Sequence, residues 1–426
     1  MVVEASYSKV SITPPIGLRL GGYAHRVGKP SSKVHDDLYA RLLMISSSDV
    51  EIILIQLDLL GLYSNDASLI RRSVSKVTGV KEDKVIVFST HTHSAPETII
   101  PMWPNTLPYS EREKAEYNNW FTSVVDKLTD VARKLNSTEK AELRIGLGRT
   151  EELCFNRSFK GGLVSSELPI LMVNLGKGRV ALVNYACHPV CNTDLGFSAD
   201  YPGVMYESLL SNGIESMFLT GATGDIDPLR KGRGYMSYLG YSLSSSVIEA
   251  VRSLKPTAPL IGVQEVKVTL PLRTISHEEA KSRYEEAFRR VMTKGGLPSE
   301  PTESIWADED YLTLMYSDEE YEVSKDNSRF TETEVNLVRI GDLLIATIPG
   351  EPFIESAMAI SNVARNMGFK VIMVAGYVND YVGYIPIKAA FIKRTYEAKL
   401  ARWSRVTDEA EGLIIKAVES NLQKIK

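Results

Sequence analysis

Cysteine is scarce in this 426-residue chain, which carries only Cys154, Cys187 and Cys191. Three cysteines cannot build a disulfide framework, and such sparing use fits a reducing compartment. Long hydrophobic runs are also missing. The best apolar stretch, Val371 to Val378, has the length of a strand and falls far short of a membrane span. The opening MVVEASYSKVSITPPIG has neither the basic nor the apolar region of a secretion signal. No charge of one sign dominates: 49 basic against 53 acidic residues leave −4, so there is no electrostatic footprint for nucleic acid. Internal repeats, low-complexity tracts and Gly/Ser linkers are absent too. The expectation is one soluble, cytoplasmic domain over 1–426, with no nucleic-acid partner, no integral membrane segment and an open oligomeric state.

What is present is ordinary globular composition, 44% apolar and 24% charged, which excludes disorder, collagen and coiled coil. Strand-like and helix-like segments alternate. Ala40–Ser46, Glu51–Leu57 and Lys84–Ser89 read as strands, with a helix over Asn65–Val77 between the last two. A long amphipathic helix follows around Ser110–Leu135, then strands at Ala141–Gly148, Pro169–Leu175 and Val180–Ala186. This alternation predicts an α/β fold with a mixed, mostly parallel central sheet flanked by helices. One segment stands apart. Between Ser299 and Glu334 there are 12 acidic and 2 basic residues, which reads as an acidic surface insertion.

In open α/β sheets, sites form beyond the carboxyl ends of strands. Four polar clusters here follow apolar strands directly: Thr90-His91-Thr92-His93-Ser94, Cys187-His188-Pro189, Gly224-Asp225-Ile226-Asp227-Pro228 and Pro349-Gly350-Glu351. The chain has six histidines, and three of them fall in these clusters. Two histidines from different strands plus a carboxylate make the ligand set of a catalytic zinc site with a position left for water. Zinc would lower the pKa of that water and polarise a carbonyl, so hydrolysis is the chemistry such a set implies. The competing reading is that each strand-end histidine is a hydrogen-bonded structural residue, and His-x-His alone is a weak signal. Strand alternation turns Cys187 away from the side His188 faces, and Cys191 is expected to be a buried, apolar-like thiol. A serine-hydrolase elbow, G-x-S-x-G, does not occur, and Gly61 and Gly79 introduce no phosphate-cradling loop.

The ordered landmarks resemble the catalytic, N-terminal domain of the neutral/alkaline (non-lysosomal) ceramidase family. They are Ile12-Thr13-Pro14-Pro15, Gly22-Tyr23-Ala24, His35-Asp36-Asp37-Leu38-Tyr39-Ala40-Arg41, Thr90 to Pro96, Asn156-Arg157-Ser158, Ala186-Cys187-His188-Pro189, Gly224 to Pro228, Pro349-Gly350-Glu351 and Asn379 to Tyr384. The chain reads as a short, divergent member.

The resemblance implies Zn²⁺ held by His91, His188, Glu351 and Tyr384, with Tyr381 as the rival to Tyr384. It implies that His93 is an acid/base or substrate-oxygen ligand and that Arg157 lies close to the reacting carbonyl. Asp227 stands where the family carries a serine, so a mechanism needing that hydroxyl fails; Asp227 could instead orient water or accept from an amine. The family's longer members carry a secretion signal and a C-terminal β-sandwich that are not seen here, so ceramide is not the expected substrate. The implied activity is a zinc-dependent amidohydrolase cleaving a linear N-acyl amide by an activated water. The alternatives are an esterase or lactonase on the same fold, or a non-catalytic metal- or ligand-binding homologue.

Overall fold

The computed structural model describes residues 3–47 and 50–425; Met1 and Val2, at the head of the amino-terminal stretch read above, lie outside them. Eight strands order the larger sheet: β1 (Val3–Ser11), β2 (Tyr39–Ser47), β3 (Val50–Leu57), β4 (Val85–Ser89), β5 (Glu139–Arg149), β6 (Glu167–Leu175), β7 (Gly178–Tyr185) and β8 (Ile214–Thr220). Their spatial order is β8-β7-β6-β5-β1-β2-β3-β4, and the short Lys255–Pro256 strand joins β5. A second sheet runs β9 (Ile261–Pro271), β10 (Phe330–Ile340), β11 (Leu343–Thr347) and β12 (Val371–Ala375).

Strands β3, β4, β7 and β8 are apolar on both faces over most of their length because both faces are covered there. In β3, Ile52 and Leu54 point into a core shared with Val338, Ile340, Leu343 and Ile345 of the second sheet. Ile53, Ile55 and Leu57 point the other way, against α1 (Ser64–Thr78), α2 (Glu111–Ala132), α3 (Tyr201–Leu210) and α4 (Arg233–Val251). Beyond α5 (His277–Thr293) and α6 (Glu309–Val323), the helices α7 (Ile354–Asn366) and α8 (Ala410–Asn421) cover the outer face of the second sheet. The result is four layers: helices, sheet, sheet, helices. Among the described residues, no helix is long and apolar enough to cross a membrane.

Two expectations need correction. The larger sheet is mixed but not mostly parallel: only β3–β4 and β7–β8 run parallel, and the other five neighbours along the path are antiparallel. The cause is connection length. Helices α1 and α3 supply the two crossovers, whereas β2–β3 and β6–β7 are joined by two residues each, which permits only a hairpin. The acidic segment is not a solvated insertion throughout. It carries α6, whose Leu314, Met315 and Val323 are buried together with Asp318 and Glu319. These carboxylates are buried because neighbouring loops supply donors for them, a pairing that a charge count cannot register.

Candidate metal centre and active site

The four strand-end clusters converge. His91 follows β4, His188 follows β7, Asp225 and Asp227 follow β8, and Glu351 follows β11. The last segment, 377–384, leaves β12 and returns so that Tyr384-Ile385 pairs in parallel with Glu351-Pro352. Gly350 makes that approach possible, since a Cβ there would lie 2.4 Å from the carbonyl oxygen of Gly383.

Three imidazoles and one carboxylate meet at this point. The ligand atoms of His91, His93 and His188 all lie within 4.8 Å of one another. His93 Nε2 is 3.2 Å from His91 Nε2. Glu351 Oε2 is 3.0 Å from His188 Nε2 and 3.5 Å from His91 Nε2. Second partners fix the rings. His91 Nδ1 lies 2.6 Å from the carbonyl of Leu60, and His188 Nδ1 lies 3.1 Å from the carbonyl of Ile226. A ring nitrogen facing a carbonyl must donate, which assigns the bare lone pair to Nε2 in both rings. Backbone strain accompanies the arrangement: His91, Tyr377 and Asn379 have φ of 63°, 60° and 60°.

The charges decide what this constellation wants. Burial opposes the Glu351 carboxylate, but His91, His188 and the Tyr381 hydroxyl outweigh it and hold the carboxyl at about 2. Burial lowers His91 to about 4, against the raising field of Glu351, and lowers His93 well below its ordinary value. With Nδ1 of His91 and of His188 on backbone carbonyls, their Nε2 atoms face the Glu351 carboxylate oxygen at 3.5 and 3.0 Å. A cation at the meeting point resolves the clash of acceptors. The separations also fit, since a tetrahedral zinc with bonds of about 2.1 Å places its ligand atoms about 3.4 Å apart. The donor set fits a divalent metal of borderline softness.

Around this centre the remaining candidates take definite places. Tyr381 donates to Glu351 Oε1 at 2.5 Å and Tyr377 donates to Oε2 at 3.0 Å, so Glu351 is held from both sides. Tyr384 accepts from Arg157 Nη2 at 2.8 Å, which leaves its own proton free to be donated. Arg157 also donates to Asp227 Oδ1 at 3.0 Å, to Glu397 Oε1 at 2.9 Å and to the carbonyl of Gly224 at 2.9 Å. Burial would raise the Asp227 carboxyl, but Arg157 and His188 hold it below its ordinary value. Tyr384, His91, His93 and Glu351 line one cavity. Cys187 and Cys191 are fully buried, with thiols raised mainly by burial and sulfur atoms 3.9 and 4.0 Å from the carbonyls of His188 and Arg230.

The structure thus brings together His91, His93, His188, Glu351, Arg157, Asp227 and Tyr384. His93, expected as an acid/base group, presents Nε2 to the same point as the other two histidines. Tyr377, Glu397 and Gly22 escaped the sequence reading. Glu397 sits in a polar stretch with no strand before it, and its buried pairing with Arg157 spans 240 residues. Gly22 lies under His93, where a Cβ would come within 2.3 Å of Nδ1. Its place in Gly22-Tyr23-Ala24 was the one available signal.

No protein-family model and no curated protein matches the chain. Solved structures do match. Neutral ceramidase from Pseudomonas aeruginosa aligns over 100% of this chain and 75% of its own, with a TM-score of 0.75 and 16% identity. A ceramidase complexed with C2 aligns over 100% of this chain and 76% of its own, with a TM-score of 0.74 and 14% identity. The fold of this protein is that of neutral ceramidase.

Proposed function

We propose that the protein is a zinc-dependent hydrolase that cleaves a linear N-acyl amide. The observation that carries this reading is the meeting of His91, His93, His188 and Glu351 around one point, with Tyr384 on the same cavity and Arg157 bound to it. Zinc held by His91, His188 and Glu351 would supply an activated water and polarise the scissile carbonyl. Tyr384 stands as a further oxygen ligand or as the donor to that carbonyl oxygen.

The chain's own residues account for the rest of the reaction. Negative charge develops on the carbonyl oxygen, and a fixed positive group beside it lowers the barrier. Arg157 is such a group, pinned by Asp227 and Glu397, and its hydrogen bond polarises the Tyr384 hydroxyl toward donation. Asp227, kept ionised by Arg157, positions the guanidinium and offers an acceptor to the departing amine. His93, a neutral ring with no partner on Nδ1, can carry a proton between water and amine.

The solved structures that share this fold are ceramidases, and that likeness supports the amide reading over an ester. The test is a panel of N-acyl amides and matched esters assayed with zinc-loaded protein. Release of amine that stops with a chelator and returns with zinc is expected. Zinc-loaded protein that turns over no amide would overturn the proposal.

A further inference from the structure

Resting on that reading, we infer that the site takes the N-acyl amide of a short acyl chain, about two to four carbons, and that the α5–α6 hairpin sets the limit through the 97–106 loop. The cavity lined by His91, His93 and Glu351 measures about 50 Å³. One water-sized group needs about 10–15 Å³ on this measure, so about four such groups fit. Sites built for larger ligands run to about 300–1,000 Å³. The walls opposite the histidines are Ile99, Ile100, Met102, Tyr396 and Trp403, an apolar surface suited to hydrocarbon. The polar side, with Arg157 and Asp227 partly open to solvent, suits the amine half, which must acquire a proton and leave.

The wall is held in place. Asp318 of α6, fully buried, accepts the backbone N–H groups of Asn105 and Thr106 at 3.0 Å each. Glu319, 1% exposed, accepts from the backbone and guanidinium of Arg402, and that guanidinium also donates to the carbonyl of Pro101. Glu97 accepts the Met102 N–H at 3.0 Å. Under these latches Ile100 adopts φ of 45° and Trp103 φ of 58°. A β-branched residue at positive φ is a genuine outlier that persists only when its surroundings over-determine it. Burying two carboxylates to hold a loop in a strained shape marks the wall as a specified feature rather than a slack loop that a long chain could push aside.

The experiment measures a chain-length series twice. Turnover of N-acyl amides from acetyl to hexadecanoyl is one readout, and binding of the matching straight-chain carboxylates to zinc-loaded protein by calorimetry is the other. Expected is at least a tenfold preference for two to four carbons over eight or more in both series. Met102→Ala and Ile100→Gly, which cut back the wall, should move the optimum to longer chains by at least two carbons. Equal or stronger binding of the long carboxylates by the unaltered protein would overturn the inference. So would a chain-length profile that neither variant moves. Absence of amide turnover alone strikes the proposed activity, while the carboxylate series still decides the size limit.

Discussion

Arg157 Nη1 donates to Asp227 Oδ1 at 3.0 Å, and the same guanidinium donates to the Tyr384 hydroxyl at 2.8 Å. Together with Glu397, that carboxylate fixes the guanidinium beside Tyr384, where the proposed mechanism needs a positive charge. Asp227→Asn keeps an acceptor oxygen but removes the charge that anchors Arg157. We expect unchanged zinc content and fold, with kcat lowered about 100-fold, at the low end of what a proton-moving or positioning group contributes. An unchanged kcat would remove Asp227 from the site and leave it a structural turn residue.

Metal content tests the centre itself. His188 lies 3.0 Å from Glu351 with its other nitrogen on the carbonyl of Ile226, which aims Nε2 at the centre. His188→Ala should lose most of its zinc, measured by elemental analysis of purified protein, and with it all turnover. Full zinc in a protein carrying both His91→Ala and His188→Ala would sink the metal assignment.

Gly22→Ala probes His93 without touching it. The added methyl would come within 2.3 Å of His93 Nδ1, and the residue sits at φ of 84°. Displacing a ring in the cluster should weaken zinc binding by roughly 10- to 100-fold, as loss of a supporting group does. A competitive chelator titration reads this directly. Unaltered affinity would exclude His93 from the metal's surroundings.

The pH dependence of the metal-free protein follows from His91. Burial lowers its folded value to about 4, whereas an unfolded histidine titrates near its model value of 6.5. Between those values the unfolded chain binds the extra proton, so stability present above pH 6.5 is lost as pH falls toward 4. The contribution lost by pH 5 is about 2 kcal/mol. Urea midpoints of chelator-treated protein at pH 7.5 and pH 5 should differ in that direction. Equal midpoints would contradict the burial of a neutral ring.

The sequence by itself determined most of the strands and helices, though neither β1 nor α6, and the residues that end the apolar strands. Apolar runs such as Lys84–Ser89 and Val180–Ala186 had to be buried strands, and the polar residues directly after them had to emerge at their carboxyl ends. That is why His91, His188 and Glu351 were legible. Tertiary structure decided whatever depends on partners far along the chain. The direction of neighbouring strands depended on which connections were hairpins. The burial of Asp318 and Glu319 depended on donors from Asn105, Thr106 and Arg402. The separate places of Tyr381 and Tyr384 depended on which hydroxyl met Glu351 and which met Arg157. Local pattern records what a residue must do with water, because burial is enforced along each strand and helix. It does not record which distant group a charge or hydroxyl will meet, because that is set only when the two sheets and the latched loops pack.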